Sequence, residues 1–164
     1  MSEIVVPSDT DRAQSLFERM RDYQQPVLIN KMRTELVMTE EEAKLLFDDV
    51  KKFLALAVTS SRPLAPPHAV DDGWHLFILF TKDYDRFCRE YCGRFVHHVP
   101  EDPCSAVKDY KAIPRTRRMA SLAFGELSAN WSASGPAKCA RPLPPCTHCL
   151  NKCSTKCTGK CEPG

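Results

Sequence analysis

An all-α fold is predicted by this sequence: a compact bundle of about five helices followed by a cysteine-rich C-terminal tail that is irregular or short-helical. Three observations predict it. Apolar residues between Val70 and Pro100 recur at the three-and-four spacing of a helix. The stretch TEEEA from Thr39 pairs an N-cap threonine with Glu42 three residues on and leads into a long apolar stripe. From Ser132 the composition turns to proline, small residues and cysteine, with too little apolar content to bury a core of its own.

Taken in order, residues 1–8 read as a loose arm. Asp9 or Asp11 is suited to cap a first helix lined by Ala13, Leu16, Phe17, Met20 and Tyr23. Pro26 ends or restarts it, and Val27, Leu28, Ile29, Met32 and Leu36 suggest a shorter second helix. The helix opened by Thr39 carries three glutamates in its first turn, where they suit the helix dipole. Its stripe of Ala43, Leu46, Phe47, Val50, Phe53, Leu54 and Ala57 marks a core helix. Ser60 to Pro67 is a proline-stiffened turn, with His68 a surface histidine just past it.

The next segment reads as two helices that bend near Thr81. Trp74, Ile78 and Leu79 line the first; Tyr84, Phe87, Cys88 and Tyr91 line the second, which Gly93 stops. After a polar stretch, Pro114 fits the first turn of a last helix with Met119, Leu122, Ala123, Leu127 and Trp131 on its apolar face. Gly125 inside that pattern costs roughly 1 kcal/mol against alanine. Arg115, Arg117 and Arg118 crowd the helix start, as a solvated face or as a contact for acidic side chains or phosphate.

The organisation is therefore a helical domain over residues 1–131, a Pro/Ser linker over 132–145 and a Cys-rich tail over 146–164. No run of roughly 18 apolar residues is present, so no membrane span is expected. The acidic N-terminus is no signal peptide, which makes the cytoplasm the expected location. Nine cysteines in such a chain should stay largely reduced, favouring metal or redox chemistry over structural disulfides. Net charge is +2, split as 18 Lys/Arg against 20 Asp/Glu in residues 1–135 and 5 against 1 in residues 136–164. The basic tail is a weak argument for an anionic partner; nucleic acid, which would rest on that tail and on Arg115, Arg117 and Arg118, is not expected, since no recognisable module or aromatic platform is present.

The tail holds Cys139, Cys146, Cys149, Cys153, Cys157 and Cys161, with His148 inside the one Cys-x-x-Cys pair. From Cys149 the interval is four, three times running, and residues four apart stack on one side of a helix. Thiolates so arranged suit Zn(II) or Cu(I), with an iron–sulfur cluster a weaker fit. The spacing also suits a peptide whose thiols are modified by a partner enzyme, or a disordered or disulfide-linked tail.

A second candidate site draws on His75, His97, His98 and Cys88. Pro100 fixes the chain direction after the Gly93 break, and a return there can carry His97 or His98 back toward His75. Adjacent histidines on an extended chain do not both point inward. Asp71 or Asp72 is near enough to orient an imidazole. Cys88 shares the apolar face of Tyr84 and Tyr91, which also makes it a candidate for a buried, inert thiol.

VDDGWH from Val70, IL-x-T-x-x-Y from Ile78, the pair Phe87–Cys88 and G-x-F-x-HH-x-P from Gly93 resemble the bacterial glycine-rich-domain-like proteins. Those are similar to the helical domain of unknown function in plant glycine-rich-domain proteins. The likeness covers about residues 27–131 and implies a helical fold, with no particular reaction. The glycine-rich part is absent here. The pattern often has a second histidine two residues after the first, where this chain has Phe77.

The function expected is a metal-binding or metal-handling protein, a helical scaffold presenting thiolates to Zn(II) or Cu(I). One alternative is a carrier or interaction protein whose tail docks to, or is modified by, a partner enzyme. Another is a small enzyme using His75 with His97 or His98. The chain has no HExxH, nucleophile elbow or phosphate-cradling glycine loop, so the sequence leans away from the enzyme.

Overall fold

Helix α3, Glu40–Thr59, runs through the middle of the molecule and buries ten of its 20 residues. The computed structural model describes residues 7–99 and 109–132. Among them lie α1 (Asp9–Met20), α2 (Pro26–Glu35), α3, α4 (His68–Ile78), α5 (Thr81–Phe87), a π-helical turn (Cys88–Cys92), α6 (Ala112–Phe124) and a 3-10 turn (Ala129–Trp131), with no strand. Six α-helices thus stand where about five are expected. None of the described helices is long and apolar enough to cross a membrane.

Each helix start has a local cause. Ser8 caps α1, and Asp11 returns the bond to the Ser8 N–H, so Asp11 completes the capping box and the cap itself lies one residue before Asp9. The Thr39–Glu42 box opens α3 as its residues dictate. Pro26 occupies the first turn of α2, where its missing N–H costs nothing. Gly125, at φ 77°, ends α6 instead of lying inside it. Leu127 and Trp131 accordingly belong to the segment beyond, while Leu122 faces solvent. Leu79 also faces solvent, just past the end of α4.

Helices α1, α2, α4 and α6 all pack on α3. Two buried polar side chains of α3 fasten its neighbours. Lys51 donates to the carbonyls of Arg21 (2.8 Å) and Tyr23 (3.2 Å), satisfying the C-terminal end of α1, and pairs with Asp48. Asp49 accepts from Ser128 Oγ (2.6 Å) and Asn130 Nδ2 (2.9 Å), which ties the 3-10 turn to the core. Trp131 is buried beyond it.

Helix α4 lies close against α3 because Gly73 has no side chain. A Cβ there would stand 3.0 Å from both Leu46 Cγ and Val50 Cγ2. That contact sets how deeply Trp74 and Phe77 enter the core. Gly73→Ala is expected to destabilise the protein by about 1–3 kcal/mol through overpacking, read as a lower denaturation midpoint with an unchanged helical circular-dichroism spectrum.

Candidate metal centre

On the outer side of α4, residues Asp71 and His75 stand four apart and so share a face. The opposite wall comes from the chain after α5. Gly93, at φ 68°, closes the π-helical turn in the left-handed conformation and sends residues 94–99 back across α4. Tyr84 holds this returning arm: its hydroxyl donates to the Val96 carbonyl at 2.6 Å and accepts from Trp74 Nε1 at 3.0 Å. Burial pushes the Tyr84 phenol well above its usual range, so it remains a donor at all ordinary pH.

His98 lands between Trp74 and His75, with ring centroids 4.6 and 4.2 Å away. Its Nε2 meets Asp71 Oδ1 at 2.9 Å, and its side chain is 14% exposed. His75 Nδ1 lies 2.8 Å from the Asp71 backbone carbonyl, with the side chain 52% exposed. A carbonyl only accepts, so Nδ1 carries the proton and neutral His75 keeps its lone pair on Nε2. This is the arrangement common in metal-binding histidines, the second ring nitrogen being anchored to a backbone oxygen. Ligand atoms of Asp71, His75 and His98 all lie within 4.8 Å of one another. Donors on tetrahedral zinc stand about 3.3 Å apart for bonds near 2.0–2.1 Å, so the three would have to draw closer to share one ion.

The cluster opens on a cleft of about 740 Å³. Its far side is the proline-rich turn, which α6 fixes: Arg115 donates through two nitrogens to the Pro63 carbonyl and pairs with Asp109, and Thr116 Oγ1 accepts from the Ala65 N–H. Arg115 is thus engaged with an acidic side chain and a carbonyl.

Of the sequence candidates, the fold brings together His75 and His98. His97 lines the same cleft but is not in the cluster, and it packs on Phe95, ring centroids 4.8 Å apart. Cys88 does not join the histidines. It is buried beside Cys92, whose S–H and the Val96 N–H lower the Cys88 thiol below its ordinary range against the effect of burial. The interaction with Cys88, with burial, raises the Cys92 thiol above its ordinary range. His68 begins α4 and lines the cleft mouth. Phe77, where the family-like pattern often has histidine, is wholly buried against Phe47, Tyr84 and Phe87. Asp71, expected only as an orienting neighbour, is a full member of the cluster; its four-residue offset from His75 is the signal that finds it. Cys104, Cys139, Cys146, Cys149, Cys153, Cys157, Cys161 and His148 lie outside the described residues.

Among known proteins, the model of a family described as UCP032817-like matches residues 15–122, from α1 into α6. No curated protein and no solved structure matches the chain.

Tyr84→Phe is expected to cost about 1–3 kcal/mol, because the Trp74 N–H loses its buried acceptor and the Val96 carbonyl its donor. Equilibrium unfolding gives the size, and histidine ring NMR signals should show His98 released from its position over Trp74.

Proposed function

The chain belongs to the UCP032817-like family, and we propose that it is a metal-binding protein whose helical body holds one divalent transition-metal ion through Asp71, His75 and His98. The observation that carries this reading is the convergence of the three donors from two separate segments at the floor of a cleft. Two imidazoles and a carboxylate suit Zn(II) better than Cu(I), which prefers sulfur. Three protein ligands leave a coordination position for water or an anion, as in sites where zinc polarises a bound molecule. The Trp74 and His98 rings shield one side of the cluster, and the His75 anchor to the Asp71 carbonyl orients the free nitrogen.

The six tail cysteines form a second and softer donor set in the sequence. Their spacing supports the broader reading of a metal-handling protein, in which thiolates take Cu(I) or Zn(II) independently of the cleft. Kinship with the glycine-rich-domain proteins is likewise proposed on the VDDGWH and HH-x-P residues.

Metal analysis and competitive zinc titration on the anaerobically purified chain, with and without serine at all six tail cysteines, test both sites. The chain with serine in the tail should bind one equivalent of zinc. His75→Ala, His98→Ala and Asp71→Asn should each weaken that equivalent by more than the 10–100-fold that loss of even an outer hydrogen-bond partner costs. His97→Ala should leave it unchanged. Equal zinc affinity in the wild-type and the three cluster variants would overturn the cleft site. Loss of all bound metal on removing the tail thiols would assign metal to the tail alone.

A further inference from the structure

We infer that the cleft above Asp71, His75 and His98 is a binding site for a small organic carboxylate with an apolar body. Its volume, about 740 Å³, is within the range of small-molecule sites, roughly 300–1,000 Å³. Its walls combine two features that folding does not require. The first is exposed apolar surface. Phe95 and Val99, on the returning arm, are 40% and 82% exposed, and both line the cleft, as do Leu64 and Ile113. Apolar side chains converging on one concavity mark a place where an apolar body sheds water.

The second feature is charge. Arg62 and Arg94 line the same cleft from different segments. Among the described residues no carboxylate pairs with either, in contrast to Arg115, which Asp109 and Pro63 engage. Among the described residues Asp71 is the one acidic side chain of the cleft lining, and it already faces His98. The concavity is therefore cationic at its edges and apolar along its sides. A guanidinium matches a carboxylate through paired N–H donors, and one end of such a ligand is all the charge the site complements. A purely apolar ligand would leave the arginines unanswered. A multiply charged one, such as a nucleotide, would set its charge against apolar walls and would find no glycine-rich loop to hold its phosphates.

The inference rests on the metal-site reading in one respect: the ligand carboxylate is placed to take the coordination position left open by the three protein donors. Arginines and apolar walls act whether or not that position is filled, so the two ideas separate by experiment.

Isothermal titration of the full-length chain, zinc-loaded and metal-free, with phenylacetate, hexanoate and cinnamate, each against its amide and against acetate, is the test. At least one acid should bind tenfold or more tightly than both its own amide and acetate. The doubly substituted Arg62→Gln, Arg94→Gln chain should lose the preference for acid over amide. Phe95→Ala should weaken acid and amide alike. Zinc affinity, measured on the same samples, should be unchanged in these variants. If no acid outbinds its amide, or if the preference survives loss of both arginines, the inference fails. Zinc uptake without acid preference sinks the inference alone, and acid preference without zinc uptake sinks the metal site while leaving an anion-selective cleft.

Discussion

Between the indole of Trp74 and the carbonyl of Val96 stands one buried hydroxyl, that of Tyr84, accepting from the first and donating to the second. Trp74 belongs to α4, Val96 to the arm that returns after the Gly93 turn, and Tyr84 to α5 between them. The two walls of the cleft are thus referenced to a single atom. In a buried setting such a relay is costly to leave half-made, so it has one good arrangement and few near-equivalents. His98 lies two residues beyond Val96 and reaches Asp71 and His75, while its neighbour His97 packs on Phe95.

Behind this relay stands α3. Its core residues set the depth of α4 through Gly73, and its buried Lys51 and Asp49 settle the end of α1 and the 3-10 turn. Each of those charges is surrounded by hydrogen-bond partners, the condition under which burying it is tolerable. The result is a rigid support for α4, whose outer face carries Asp71 and His75. Helices hold side chains more precisely than loops do, and a ligand cluster with two members on one helix inherits that precision.

The thiols of Cys88 and Cys92 sit on the other side of the same architecture. The π-helical turn that contains them widens the backbone just before Gly93 and carries the chain into the returning arm. Tyr84 holds the arm by the Val96 carbonyl, and Cys88 is buried beside Cys92 at the foot of that arm. Its role in this view is to fix where the arm begins, which explains why a cysteine four residues from another does not take part in the histidine cluster. The departure from an α-helix has no marker in composition, since Cys88–Cys92 continues the apolar spacing of α5.

The helices, their order and most of their caps were legible in the residues, because apolar spacing, capping boxes, prolines and left-handed glycines act within a few residues of themselves. The bend at Thr81 and the stop at Gly93 are of this kind. So was the pairing of Asp71 with His75 on one helical face. Less legible was the left-handed Val37 after α2, a β-branched residue where glycine or asparagine is the usual marker. What only the tertiary structure decided is that His98 and not His97 meets them, that Cys88 stays apart, and that Arg62 and Arg94 overlook the same cleft. Those facts depend on how three segments far apart in sequence are pressed together by the core. Local propensity carries no information about the distance between two elements, which is set by side-chain packing such as that of Gly73 on Leu46 and Val50.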